Sequence, residues 1–221
     1  MKRSDSRRNP AAYTAFVLLA ALFILSPAYG DDQRSTITFS GLSSRSTVTD
    51  GIRSVILTGE AWIETENTRI SASEIRLTGE NYRFAECTGN VTVYDAKQDI
   101  TLITGRLEYD RESSTAVTRG WTEMEDRSSG LIARGGYVKN SGDEGITIIQ
   151  IAARVLKDTD DGPMLCRADS IRYDSNAQTV ELTGNSVVIW NSDEYRAARI
   201  TIDLETNDIA LEGDVKGTIY E

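Results

Sequence analysis

Short alternating runs of apolar and polar residues recur along the chain, and turns separate them. The clearest run is Leu182-Thr-Gly184-Asn185-Ser-Val-Val-Ile, and it is preceded by Cys87-Thr-Gly-Asn-Val and Leu57-Thr-Gly-Glu-Ala. Counting weaker copies, the anchor positions are residues 59, 89, 120, 153, 184 and 213. Self-similarity at a period of about 20–50 residues is typical of repeated architectures. We therefore predict that the chain consists of copies of one structural unit.

The second half of each unit carries apolar residues at steps of two, interrupted by one step of three. The first copy is Ile70, Ala72, Ile75 and Leu77. Steps of two place side chains on one face of a strand, and one extra residue indicates a bulge that bends the strand. Later copies begin at Leu102, Leu131, Cys166 and Tyr195. The copy at Leu131 looks degenerate, since Gly136 takes a position where an apolar residue is expected.

The turns between these runs are short and rich in Asp and Asn, for example 95–99, 110–114 and 174–176. Such residues hydrogen-bond their own backbone and favour turns. Loops of this length connect antiparallel neighbours, because a parallel crossover needs a dozen or more residues. The sequence therefore predicts an all-β fold built from bent antiparallel strands, two in each unit of about 30 residues.

One face of the predicted strands is aliphatic through all the repeats. Its candidate lining residues are Leu57, Ile63, Ile75, Val91, Val93, Leu107, Met124, Val138, Val155, Ile171, Leu182, Val188, Ile200 and Ile202. This face is either the filled core of a β-sandwich or a groove that takes hydrocarbon chains. The chain has only 4 Phe and 3 Trp, whereas large aromatics usually dominate a core of this size. Periodicity alone does not separate the two interpretations.

Residues 1–30 have the plan of a secretory signal peptide. A basic segment from Lys2 to Arg8 precedes an uncharged apolar run at 15–25, and Ala28-Tyr-Gly30 offers a cleavage site. The alternative is an uncleaved membrane anchor. We expect residues 31–51 to form a mobile arm or edge strand and residues 52–221 to form the β domain.

The composition limits the chemistry available to the mature chain. Cleavage at residue 30 would remove four basic residues and one acid, leaving 20 Lys+Arg and 33 Asp+Glu, a net charge of −13. That balance argues against nucleic acid as a partner. The chain has no histidine, which excludes Ser-His and Cys-His catalysis and histidine-based metal sites.

The acidic side chains present no clear site. The cluster at 158–161 lacks the ligand spacing of a calcium loop, and no carboxylate pair stands out for glycoside hydrolysis. We predict no enzyme activity, no cofactor and no metal site.

Cys87 and Cys166 are the only cysteines, and both fall at apolar positions of the repeat. A free cysteine at such a position behaves as a small buried hydrophobe. A disulfide is the alternative, because an exported chain enters a compartment that permits disulfides.

The repeat also resembles a known family. The segment from Ala168-Asp-Ser-Ile-Arg-Tyr173-Asp174 to Leu182-Thr-Gly184-Asn185 is similar to the unit of the OstA-like (LptA/LptC) family of periplasmic lipopolysaccharide-transport proteins. The likeness extends over residues 52–221. It implies an open, V-shaped β-jellyroll of two antiparallel sheets that holds the acyl chains of lipid A between them.

The resemblance also implies the partners and the compartment. Such proteins join end to end, as homo-oligomers and with related jellyroll proteins of the inner- and outer-membrane transport complexes. We therefore expect a periplasmic carrier of lipopolysaccharide or a related glycolipid. Two alternatives are a structural β-repeat protein with a filled core that polymerises through its edges, and a membrane-anchored recruiting member of the same transport system.

Overall fold

The computed structural model describes residues 37–49, 51–159, 162–206 and 208–220, so the predicted signal peptide lies outside the described residues. Apart from a 3-10 turn at Glu80–Tyr82 the elements are strands. They are β1 (Thr38–Ser40), β2 (Ser43–Thr49), β3 (Ile52–Glu64), β4 (Thr68–Thr78), β5 (Phe84–Asp95), β6 (Ile100–Asp110), β7 (Thr115–Asp126), β8 (Leu131–Ser141), β9 (Ile146–Lys157), β10 (Met164–Asp174), β11 (Thr179–Trp190), β12 (Asp193–Asp203), β13 (Ile209–Glu212) and β14 (Lys216–Thr218). Within this part of the chain, no helix is long and apolar enough to span a membrane.

The fourteen strands form one antiparallel sheet in which β3 to β13 are neighbours in chain order. The all-β, antiparallel prediction is thereby confirmed. At the N-terminal edge, β1 and β2 pair with the two halves of β3. At the C-terminal edge, β13 and β14 pair with the two halves of β12. Each edge is thus one bent strand broken into two short pieces.

Each long strand contains a bulge, as the step of three predicts. The pairing register shifts between Thr58 and Ala61 in β3 and between Thr183 and Ser186 in β11. Equivalent register shifts occur in every strand pair from β4–β5 to β10–β11. We call the row of bulges the spine. It divides the sheet into leg A, which carries the turns after β3, β5, β7, β9 and β11, and leg B, which carries the turns after β4, β6, β8, β10 and β12. The two predicted sheets are the two legs of this continuous sheet.

The two legs face each other across an apolar interior. A flat, single-layer sheet would expose both of its faces to water. In this sheet the apolar face is almost fully buried and its residues form one cluster, because the two legs pack against each other. Beside the spine, leg B carries a row of mostly large residues: Leu57, Ile75, Cys87, Leu107, Thr118, Val138, Ile149, Ile171, Leu182, Ile200 and Leu211. Leg A carries smaller ones: Ala61, Ala72, Val91, Thr104, Thr122, Gly135, Ala153, Ala168, Ser186 and Ala197. Large side chains packed against small ones fill a core without voids.

In the third repeat, the structurally equivalent residues lie two positions away from those that the comparison of repeat copies predicts. Gly135 pairs with Thr122 in the small row, and Val138 follows it across the bulge. A Cβ on Gly135 would lie 2.6 Å from Ile149 Cγ2 and 2.9 Å from the Gln150 carbonyl oxygen. Gly135 is therefore the small residue of this unit, and the expectation of an apolar side chain at position 136 was wrong.

The fourth anchor is likewise displaced, to Ile151 instead of Ala153. Most anchors are a glycine followed by a residue with positive φ, such as Gly184 and Asn185 with φ of 75° and 51°. In β9, Ile151 and Ala152 take φ of 65° and 57° at the same place. The sequence alignment missed this equivalence because neither residue is a glycine.

Replacing Ile151 with glycine should stabilise the protein. The left-handed conformation costs an L-residue about 1–2 kcal/mol, and a β-branched side chain is especially unsuited to it. Glycine loses more backbone entropy on folding than isoleucine, which offsets part of this gain. We therefore expect the free energy of unfolding to rise by about 0.5–1 kcal/mol. Calorimetry should show a rise in Tm of about 1–4 °C. Ile148→Gly, at a regular strand position of β9, should instead lower the Tm.

Candidate functional site: the apolar interior between the legs

All fourteen predicted lining residues lie in the interior and belong to one cluster. Their exposed fractions run from 0% for Leu57, Val91 and Ile200 to 7% for Val138. The interior is therefore closed to water in this conformation.

The interior runs along the whole sheet, because its rows of side chains cross the strands. From β3 to β12 there are nine strand spacings, a distance of about 43 Å. The row that begins at Leu57 reaches Ile200 and then Leu211 through directly paired residues. This row therefore crosses the sheet from β3 to β13 and is apolar except at Thr118.

The repeat pattern places Thr104 at the small position of the inward face, but sequence reasoning missed the other polar residues of the interior. Thr118 occupies the leg B row between Leu107 and Val138, and Thr104 and Thr122 lie in the small row. All three are at most 3% exposed. Threonine is common on the solvated faces of strands, so only strand register identifies Thr118 and Thr122 as inward-facing.

The buried threonines satisfy one another. Thr122 Oγ1 lies 3.0 Å from Thr104 Oγ1 and 2.8 Å from Thr118 Oγ1. Thr122 Oγ1 also donates to the Gly120 carbonyl oxygen at 3.2 Å. Each hydroxyl has a partner, as buried polar groups require.

Asn140 is satisfied on one side only. Its Nδ2 donates to Thr147 Oγ1 at 2.9 Å, but within the described residues its buried Oδ1 has no hydrogen-bond partner. Asn140 is 4% exposed and lies in the second row of leg B, between Ala116 and Thr147. The equivalent position in β4 is occupied by Leu77.

Polar residues rim the mouth between the legs, opposite the spine. On leg A, Thr68 Oγ1 donates to Asp95 Oδ2 at 3.1 Å, and Asp126 accepts from the hydroxyls of Ser128 and Ser129 at 2.6 Å. Lys157 Nζ donates to the Ser129 carbonyl oxygen at 2.5 Å. Burial lowers the pKa of Lys157, although Asp126 and Asp158 oppose that shift.

On leg B, Arg83 makes a two-pronged pair with Asp110, with Nε–Oδ1 and Nη2–Oδ2 distances of 2.7 and 2.6 Å. Hydrogen bonds from Arg83 hold the pKa of Asp110 at about 2. Successive turns also stack through backbone bonds, including Gly142 N to Ser114 O and Ser175 N to Gly145 O. These bonds run along the leg, so parting the two legs would leave them intact.

Cys87 and Cys166 are both free and buried. Cys87 lies in β5 on leg B and Cys166 in β10 on leg A. Five strand spacings separate them, about 24 Å, whereas a disulfide needs Cα atoms within about 7 Å. Burial raises the pKa of each thiol to about 12.

These two thiols report whether the interior is open. In native buffer at mildly alkaline pH, each should react with iodoacetamide roughly 100- to 1000-fold more slowly than a free cysteine, because the thiolate is the nucleophile. In denaturant both should react at the ordinary rate, as read by mass spectrometry. Fast native labelling of either thiol would contradict a closed interior.

The acidic cluster at 158–161 lies partly outside the described residues. Elsewhere, in the ranges that the structure covers, no group of three or more acidic or cysteine side chains is placed to hold a metal ion. Asp158 packs against Gly130, and its backbone N–H donates to the Gly130 carbonyl oxygen at 3.0 Å. Its local role is therefore to join two turns of leg A.

A cavity of about 580 Å³ opens at the N-terminal end of the spine. Leu42, Trp62 and Arg69 contribute to its walls, and the Arg69 guanidinium lies 4.5 Å from the centre of the Trp62 ring. Ala61 and Ala72 of the leg A row also line this cavity, whereas no residue of the leg B row does.

No curated protein matches the chain. Among solved structures, it is similar to LptH from Pseudomonas aeruginosa, the LptA-homologous periplasmic component of the lipopolysaccharide transport device. The identity is 10%, the TM-score is 0.26, and the match covers 84% of this chain and 96% of LptH. The family model of the LptA/(LptD N-terminal domain) LPS transport proteins matches residues 80–208. That span is 129 of the 221 residues, and the chain belongs to this family of lipopolysaccharide-transport proteins.

Proposed function

We propose that this protein carries lipopolysaccharide or a related glycolipid across the periplasm by shielding its acyl chains between legs A and B. The observation that carries the proposal is the mostly aliphatic lining, which runs from β3 to β12 over about 43 Å. Each methylene taken from water contributes about 0.8 kcal/mol. An interior of this kind can therefore hold several acyl chains without any catalytic residue.

Loading requires the legs to part, because the lining residues are buried against one another. The spine is the natural hinge, since every long strand already bends there and several spine residues have positive φ. Once the legs part, acyl chains would make apolar contacts with each leg in place of the apolar contacts that the legs make with each other. The stacked turns within each leg would move together as the mouth opens.

Stacking of copies would extend the groove beyond one molecule. The chain runs from leg A to leg B through β1 and β2, and from leg B to leg A through β13 and β14. A head-to-tail joint with aligned legs therefore pairs β1 with β14 and β2 with β13, both antiparallel. Both ends leave unpaired strand edges that favour such pairing.

Strand register gives this joint a specific alignment. Leu211 ends the leg B row at one edge, and at the other edge Ser44 pairs with Leu57, the first residue of that row. Leu211 of one copy would thus face Ser44 of the next. In leg A, Phe39 pairs with Ile63 and Gly217 with Tyr195, so Phe39, which is 55% exposed, would cover Gly217. The same edges would serve for joints with related jellyroll proteins of the two membranes.

Native mass spectrometry of the mature chain, purified from its own periplasm, tests the proposal. A bound species with the mass of a multiply acylated glycolipid is the expected result. A bare protein that forms long oligomers would overturn it and favour the second candidate, a structural β-repeat protein with a permanently filled core. The low exposure of the interior residues is the observation that favours this second candidate.

A further inference from the structure

The middle of the interior differs chemically from its two ends. Strands β6 to β9 contribute inward-facing polar residues, which we call the polar waist: Thr104, Thr118, Thr122, Asn140 and Thr147. Each is at most 5% exposed. In β3 to β5 and in β11 to β12, the positions of these same rows are mostly filled by Ala, Val, Ile and Leu.

The two parts of the polar waist differ in hydrogen bonding. The three hydroxyls of Thr104, Thr118 and Thr122 are linked to one another. Asn140 donates to Thr147, but its Oδ1 accepts no hydrogen bond from the described residues. A buried acceptor without a donor raises the free energy of the unliganded protein. A ligand that brings a donor to this point removes that cost.

We propose that Asn140 Oδ1 accepts a hydrogen bond from a hydroxyl group on an acyl chain held in the groove, so that the protein selects hydroxylated chains over plain ones. This inference rests on the proposed function, since it needs an acyl chain between the legs. Asn140 lies one row from the spine on leg B, with Val138, Ile149 and Ala116 around it on the strands. A chain packed along these aliphatic neighbours would pass close to the amide, while the hydroxyls of the nearby waist threonines Thr104, Thr118 and Thr122 are already hydrogen-bonded.

The register of the repeat supports a specific role for this residue. Leu77, Tyr109, Tyr173 and Ile202 occupy the corresponding inward position in β4, β6, β10 and β12. A leucine at this position is therefore compatible with the fold. An amide is not needed for folding there.

The test is competition between two probes that differ in one hydroxyl: β-hydroxymyristic acid and myristic acid. Each displaces a fluorescent fatty acid from the delipidated full chain. For the natural sequence we expect the hydroxylated chain to bind about five- to tenfold more tightly, the gain of one hydrogen bond to an otherwise unpaired group. In Asn140→Leu the ratio of the two affinities should fall to about one.

The outcomes separate this inference from the proposed function. Equal binding of the two acids by the natural sequence would overturn the inference and leave lipid carriage standing. A preference that survives in Asn140→Leu would also overturn the role of Asn140. If neither acid displaces the fluorescent probe, the proposed function fails together with the inference. The comparison of the two acids on the natural sequence needs no variant, so a folding defect in Asn140→Leu does not obscure it.

Discussion

Replacing Ile171 with aspartate should destabilise the protein by more than about 4 kcal/mol, a loss in the range of a small domain's total stability. Ile171 is 2% exposed and pairs with Ile149 and Leu182 in the aliphatic row of leg B. The carboxylate would lose its hydration without gaining a partner, which is the costliest kind of core substitution. Urea unfolding followed by circular dichroism should show the variant largely unfolded in native buffer.

Ile151→Asp is the matched control, because it makes the same chemical change at an isoleucine that is 66% exposed. Aspartate tolerates the left-handed backbone better than isoleucine does. We expect this variant to be as stable as the natural sequence or slightly more so. If Ile171→Asp stayed folded at full stability, the interior between the legs would not be the dry core that the structure describes.

Charged substitutions in the interior cannot test lipid binding by themselves. Charges at Val91, Ile171 or Ile200 would fall on side chains that are at most 2% exposed. A loss of binding in such variants would report unfolding as much as a blocked groove. Substitutions that keep the shape of a side chain and remove only its polar atoms, such as Asn140→Leu, separate a change in lipid binding from unfolding.

The repeat made the strands and the inward face predictable from the sequence. Steps of two, broken by one step of three, located the bulges, and every predicted lining residue proved to be buried. The repeat period mispredicted the structurally equivalent residues in two units, where glycine is absent from the anchor or stands at the small interior position. Ile151 holds a left-handed position without being a glycine, and Gly135 is small because the Ile149 side chain and the Gln150 carbonyl approach it.

Periodicity does not show whether the interior between the two legs is closed to water. Alternation assigns a side chain to a face, but closure depends on how far the bulges bend the strands and bring the legs together. The buried Thr118 and Asn140 were missed for a related reason. A polar residue at an inward position is recognised only when its cross-strand neighbours are known, here Leu107 and Val138 for Thr118, and Ala116 and Thr147 for Asn140.

Cysteines placed at the two edges should join copies of this protein head to tail. In the aligned joint, Leu211 in β13 faces Ser44 in β2 of the next copy, and directly opposed strand residues have Cβ atoms near the separation that a disulfide needs. An equimolar mixture of Ser44→Cys and Leu211→Cys, oxidised mildly, should give covalent dimers as the main product on a non-reducing gel. Each variant alone should remain uncrosslinked, and the native thiols will not interfere because both are buried. Dimers formed by Ser44→Cys alone would mean that N-terminal edges pair with each other. Such a joint closes after two copies, and it could not extend a groove across the periplasm.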